Sequence, residues 1–232
     1  MQVFYSDNIT DQSILIDGQE HHHLVKVLRK NVGDYVFVCN GLGLMLEAEI
    51  ISTGKKESVL RQRQIVKAEN KNPNQLVLAV APTKNIDRYE WMIEKCTEIG
   101  VRTIIPFYSH HSERRRIKLE RLQLIALSAM KQSKSLFLPE ITEAVLFKDF
   151  IHQDFSGTKL IASMLESSRS IKESIANSKE QQVMIAIGPE GGFSSEEIEA
   201  AKEKDFIPIT LGSKRLRTET AGVFCSAAYQ LR

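Results

Sequence analysis

Residues 183–198 read VMIAIGPEGGFSSEEI, and residues 211–222 follow with LGSKRLRTETAG. The first stretch opens on the apolar run Val183 to Ile187, then breaks into Gly188-Pro189-Glu190-Gly191-Gly192. An apolar run without polar alternation, bounded by glycines, fits a strand buried on both faces, as in parallel sheets. Ser194 followed by Glu197 has the spacing of a capping box, so a helix starts there. A glycine-rich turn between a buried strand and a helix start lies at the carboxyl end of the sheet, where α/β proteins hold ligands.

Charge narrows the ligand. A phosphate-cradling loop supplies backbone N–H donors and a lysine; here Pro189 removes a donor and Glu190 sets an anion in the turn. Neither G-x-G-x-x-G nor G-x-x-x-x-G-K occurs. The turn suits a neutral or cationic ligand better than a nucleotide triphosphate. A ligand-free strand-to-helix turn is the plainer alternative, and the second glycine- and arginine-bearing turn at 211–222 weighs against it.

Working outward, strand and helix alternate from Gln75 onward. Leu76–Ala81 reads as an apolar strand. Asp87 and Glu90 read as the start of a helix carrying Tyr89, Met92, Cys96 and Ile99 on one face and ended by Gly100. The strand Thr103–Phe107, the basic stretch Arg114-Arg115-Arg116 and a helix Leu119–Gln132 come next. Lys159–Ser163 is a strand, Ser170–Ala176 a short helix, and Glu219–Leu231 a last helix presenting Phe224, Ala228 and Leu231. Alternating βα units predict a mostly parallel sheet with helices on both faces.

Residues 1–68 have a different texture. Short strands at Val3–Tyr5, Ile14–Ile16, Tyr35–Cys39, Leu44–Ile51 and Ser58–Val66 are punctuated by Asp17-Gly18, Gly33-Asp34, Asn40-Gly41 and Gly54, which predicts a small β-barrel. One helix interrupts, Gln19–Arg29, with His21-His22-His23 in its first turn and Lys26, Arg29 and Lys30 at its far end. Three adjacent histidines point in three directions and do not make a metal site. The basic trio suits RNA phosphates or a solvated helix face. The polar stretch 69–74, ending Asn72-Pro73-Asn74, separates the two textures, giving domains at 1–70 and 74–232.

Composition sets the frame. The chain has 232 residues, 42% hydrophobic and 26% charged, with a net charge of +2. That is a globular balance, and only local clustering can carry a nucleic-acid claim. Cys39, Cys96 and Cys225 lie far apart without C-x-x-C, which excludes a disulfide framework and suits a reducing cytoplasm. The opening MQVFYSDN lacks the basic and apolar pattern of a signal peptide and no run approaches membrane length, so a cytoplasmic protein is expected.

IGPEGGFSSEEI and LGSKRLRTETA resemble the paired signature of the RsmE family of ribosomal RNA uridine N3-methyltransferases, in the SPOUT superfamily, and the resemblance runs loosely over nearly the whole chain. It implies a trefoil-knotted α/β domain behind a PUA-like barrel, a homodimer, a small-subunit rRNA substrate and S-adenosylmethionine bent inside the knot. The cofactor pocket it implies is made by Ser163-Met164-Leu165-Glu166, by Ile187 with Gly188, Pro189, Glu190, Gly191 and Gly192, and by Leu211, Gly212, Leu216 and Thr218. Removing the imide proton of uracil places charge on two carbonyl oxygens, which a guanidinium stabilises. Arg217 is the first candidate and Arg215 the second, with Glu219 either orienting Arg217 or serving the helix dipole. No residue stands out as general base.

The sequence departs from the family pattern at three places. Ala-x-Glu-Gln-x-x-Arg becomes Ala129-Met130-Lys131-Gln132-Ser133-Lys134-Ser135, Ser-Glu-Arg becomes Ser109-His110-His111, and an N-terminal Arg is Gln2. Phosphate contacts are then expected from Lys131, Lys134, Arg114, Arg115, Arg116 and Lys214. Methylation at another RNA position and a non-catalytic ribosome-assembly role remain the alternatives.

Overall fold

A computed structural model describes residues 2–11, 13–72, 74–164, 168–176, 178 and 182–232. The chain divides into two compact units, Met1–Pro73 with Leu127–Leu138, and Asn74–Ala126 with Pro139–Arg232.

In the first unit β1 (Val3–Tyr5), β2 (Ile14–Asp17), β3 (Tyr35–Cys39), β4 (Leu44–Thr53) and β5 (Glu57–Ala68) form one sheet ordered β1-β3-β4-β5-β2. Only β1 and β3 run parallel. Register shifts at three points along β4–β5 bend that long pair, as bulges do. One face buries Phe4, Ile14, Ile16, Val38, Leu46, Ile50 and Leu60. A separate cluster joins Val3, Cys39 and Met45 to Met130 and Leu136.

The helix expected over Gln19–Arg29 is shorter and changes winding. α1 (Gly18–His22) passes into a π-helical turn, His23–Val27, closed by Leu28 N–H to His23 O at 3.0 Å. Arg29 takes a left-handed φ of 52° and Lys30 N–H returns to Leu24 O at 3.1 Å, a left-handed helix end whose closing bond spans one residue more than a Schellman motif. Arg29 and Lys30 therefore lie beyond the helix rather than on it. Gly18, expected in a turn, has φ 50° at the strand-to-helix junction. His21 is buried with Nδ1 2.9 Å from Ser58 Oγ, His22 is exposed, and the His23 ring lies 5.7 Å from Phe4.

The second unit is the parallel α/β body. Its strands are β6 (Leu76–Val80), β7 (Thr103–Tyr108), β8 (Glu140–Ile141), β9 (Val145–Leu146), β10 (Thr158–Ala162), β11 (Arg169–Ser170), β12 (Val183–Ile187) and β13 (Phe206–Thr210). The order is β11-β13-β10-β12-β6-β7-β8, with β9 also on β7, and every pairing is parallel. β6 and β12 are buried at every position, as central parallel strands covered on both faces must be.

The helices are α2 (Ile86–Ile99), α3 (Leu119–Ser133), α4 (Phe147–Phe150), α5 (Ile171–Ala176), α6 (Ser195–Lys202) and α7 (Thr218–Gln230). The N-cap of α2 is Asn85, not the Asp87/Glu90 pair. Asn85 is extended and its side chain accepts from Asp87 N–H, while Glu90 pairs with Arg121. Gly100 closes α2 at φ 96°, and the capping box of Ser194 and Glu197 opens α6 as expected. On α7 the face holding Phe224, Ala228 and Leu231 looks outward; Ala221, Gly222, Cys225, Ser226 and Tyr229 are buried. The small residues win the inner face because α7 runs close to α2: a Cβ on Gly222 would lie 2.5 Å from Met92 Sδ. All three cysteines are free and buried. Among the described residues, no helix is long and apolar enough to cross a membrane.

Candidate cofactor and RNA site

β13, β10 and β12 are neighbours and parallel, so their carboxyl ends open on one edge of the sheet. The loops leaving them begin at Ser163, Gly188 and Leu211, three stretches far apart in sequence that the topology brings together. Ser163 N–H bonds Ile209 O at 2.9 Å, and Ala81 N–H bonds Ile187 O at 3.0 Å, extending the sheet into the loops. Thr218 Oγ1 donates to Gly188 O at 2.9 Å in a buried contact, and Arg215 Nη2 donates to Glu190 O at 3.1 Å. The second turn is thereby fastened onto the first.

Glycine is required in these turns for stated reasons. A Cβ on Gly191 would stand 2.8 Å from His111 Cβ, and Gly192 has φ +72°. His111 Nδ1 lies 3.2 Å from Gly192 O, and His110 N–H donates to Glu197 Oε1 at 2.7 Å. The two histidines that replace the family's acidic and basic positions thus brace the turn and the start of α6. Glu190 Oε1 accepts the Lys84 amide at 2.9 Å, so its charge is held at the turn by backbone.

The loops fit the sulfonium cofactor that the sequence implies. Gly212, at φ +125°, has nothing within 4 Å of where its Cβ would sit, and the same holds at Gly192. Those are open spaces at the backbone, and Leu211 and Leu216 of the second turn are half-buried. Ile187, Gly188 and Pro189 are buried, forming the floor of the turn, and Met164 is 63% exposed. Leu165 and Glu166 lie outside the described residues. A hollow of about 630 Å³ opens to one side, lined by Tyr108, His110, Arg115, Lys148, Ser194 and Glu197 among others. Neither Gly188–Gly192 nor Leu211–Thr218 is among its lining residues.

Arg217 is exposed and forms the N-cap position of α7. Glu219 does not meet it. The Glu219 side chain is buried, its Oε1 lies 3.9 Å from Arg88 Nε, and its Oε2 has no hydrogen-bond partner. The orienting role expected between Glu219 and Arg217 is therefore replaced by a pairing with α2, a contact between residues 131 positions apart that sequence spacing does not reveal.

The expected phosphate contacts fall into two kinds. In the first unit Lys26, Arg29 and Lys134 are exposed and Lys30 is half-buried. Lys131 is not free: its ammonium pairs with Glu20, whose other oxygen accepts Tyr5 N–H at 3.0 Å. In the second unit Arg114 is spent on structure, donating to Thr83 O and to Lys84 O at 2.8 Å, and Arg115 donates to Ser109 O and His110 O. Arg116 and Lys214 are exposed. Adjacent arginines in a loop carry unpaired carbonyls near them, and those acceptors claim the guanidinium first.

The chain is similar to known proteins over nearly its whole length. The RNA methyltransferase domain family matches residues 70–230, and the RNA methyltransferase PUA domain family matches residues 16–62. A relative from Bacillus subtilis, ribosomal RNA small subunit methyltransferase E, is 33% identical over 92% of this chain and 88% of its own. A probable rRNA-methyltransferase of Porphyromonas gingivalis superposes with a TM-score of 0.87 at 36% identity, covering 100% of this chain and 98% of that one. The Neisseria gonorrhoeae ribosomal RNA small subunit methyltransferase E, solved bound to S-adenosyl methionine, gives 0.87 at 27% identity over 100% and 97%.

Proposed function

The chain belongs to the ribosomal RNA small subunit methyltransferase E family, and from that premise we propose that it methylates N3 of one uridine in small-subunit rRNA. It is an RNA methyltransferase with S-adenosylmethionine as cofactor. The observation that carries the reading is the meeting of three loops at the carboxyl ends of β13, β10 and β12, with Thr218 fastening the last to Gly188.

Bound S-adenosylmethionine supplies the methyl group. The backbone of Gly188–Gly192 and Gly212, with Leu211, Leu216, Ile187 and Met164, holds it and excludes water. Arg217, exposed at the mouth, meets the carbonyl oxygens of the target uracil as its imide proton leaves, and Arg215 secures the turn through Glu190 O. Fixed donors aimed at developing charge are worth about 10²–10³ in rate. The carboxy-terminal segment threads the loops as a trefoil knot. The enzyme works in the cytoplasm as a homodimer, with the outward face of α7, where Phe224 is 41% and Leu231 88% exposed, as an interface element.

The test combines calorimetry with product analysis. Wild type binds S-adenosylmethionine, runs in light scattering at twice 26.3 kDa, and yields N3-methyluridine in a mass-resolved nucleoside digest. Arg217→Ala keeps cofactor affinity and loses about 10²-fold in kcat. A ribose-methylated product, or absent cofactor binding, removes the reading.

A further inference from the structure

Glu219 is the only acidic side chain buried among the described residues. Its Oε2 has no hydrogen-bond partner, so the protein bears the desolvation of that oxygen unrelieved. Partial burial strengthens an acid's interaction with the helix dipole, but leaving Oε2 unpaired offsets that gain, so the dipole alone does not account for this burial. Arg88, its ion-pair partner at 3.9 Å, is the opposite, with 43% of its side chain exposed.

The backbone that carries Arg88 is held from several sides. Asn85 caps α2 and its carbonyl accepts both Arg88 N–H at 3.3 Å and Thr83 Oγ1 at 2.6 Å. Arg114 clamps Lys84 O, Tyr89 Oη donates to Val80 O at 3.1 Å, and the Lys84 amide reaches Glu190 in the cofactor turn. A buried carboxylate under an exposed guanidinium, on a fixed shelf beside the cofactor turn, is how a binding group is preorganised.

We propose that Arg88 binds the RNA substrate, receiving one of its anionic oxygens, and that Glu219 is the positioning residue that aims it. The inference rests on the RNA-methyltransferase reading above. Two oxygens of the substrate share this chemistry, a backbone phosphate and a uracil carbonyl gaining charge as the imide proton leaves. A planar guanidinium whose Nε faces a buried carboxylate 3.9 Å away suits either.

Titration of a labelled small-subunit rRNA hairpin without turnover, paired with steady-state methylation kinetics, separates these sources. If the oxygen is a phosphate, Arg88→Ala weakens binding about tenfold and lowers the log–log salt slope by about one. If it is the uracil oxygen, RNA affinity holds, kcat falls about 10²-fold and KM is unchanged. In both cases the affinity for S-adenosylmethionine by calorimetry stays at the wild-type value. Glu219→Gln reproduces much of the Arg88→Ala effect, the double variant is no worse than Arg88→Ala, and Arg88→Lys recovers the salt slope but not the full affinity or rate.

The melting temperature discriminates a merely structural pair. Because Oε2 is unpaired and Arg88 stands 3.9 Å off, Glu219→Gln melts no lower than wild type, whereas a structural ion pair would make it melt lower. Arg88→Ala with unchanged slope, affinity and kcat overturns the proposal, as does a loss of cofactor affinity. Wild type that binds neither cofactor nor RNA instead removes the underlying reading.

Discussion

Thr218 shows how one hydroxyl joins two distant turns. Its Oγ1 donates to Gly188 O at 2.9 Å in a buried contact. Thr218→Val keeps the shape and strands the carbonyl, which costs about 1–3 kcal/mol and raises the cofactor Kd by about tenfold; scanning fluorimetry and calorimetry check both. The thiols set an alkaline limit. Burial pushes Cys39 up to about 11 and Cys96 up to about 12, the latter eased slightly by Ser226, and raises Cys225 as well. Above the ordinary value of 9.0 the unfolded chain gives up thiol protons that the native chain retains. Stability is thus full below pH 9 and declines as pH rises toward 11 and 12. Urea midpoints at pH 7, 9 and 10.5 measure the decline, and a midpoint unmoved at pH 10.5 contradicts it.

Among elements, α6 and α7 place the site, each for a local reason. The α6 box is reciprocal, Glu197 N–H to Ser194 Oγ at 3.2 Å and Ser194 N–H to Glu197 Oε2 at 2.9 Å, and Glu197 Oε1 also serves His110. Ser194→Ala therefore costs about 1 kcal/mol, and Glu197→Ala costs more because it also frees the β7 loop; paired urea titrations rank the two. In α7 the contact with α2 outweighs helix propensity. Gly222→Ala gains about 1 kcal/mol of propensity but drives a methyl into Met92, which is fully buried. Overpacking of about 1–3 kcal/mol prevails, and adding Met92→Ala costs less in this background than in wild type. Additive effects in that double-mutant cycle would refute the close contact.

For the whole molecule, the second unit is stabilised by what its loops hold. S-adenosylmethionine at 100 times its Kd adds about 2.7 kcal/mol, a rise of roughly 5–10 °C for a chain of this size. ATP, met by Glu190 and by Pro189 in place of a donor, gives no rise. A shift with ATP and none with S-adenosylmethionine reverses the ligand assignment.

The strands β6, β7, β10 and β12, the Ser194 box and the Gly100 stop were legible because periodicity, capping and left-handed glycine are local properties of a few consecutive residues. The cofactor turns were legible as motifs for the same reason. The strand β13 and the short β8, β9 and β11 escaped, since β13 carries a proline and mixed burial and the others are only two residues long. The N-cap of α2 was misplaced by two residues because Asp87 suits a first helical turn as well as a cap. Which cations stay free was beyond the sequence altogether. Lys131, Arg114 and Arg115 are engaged by Glu20 and by loop carbonyls, while Arg88, unmarked in sequence, meets Glu219 on another helix. The chain by itself determined the elements and the chemistry of its turns; tertiary packing decided which turns meet and, the local Arg115 bonds apart, which charges are neutralised, because those pairings join residues distant along the chain.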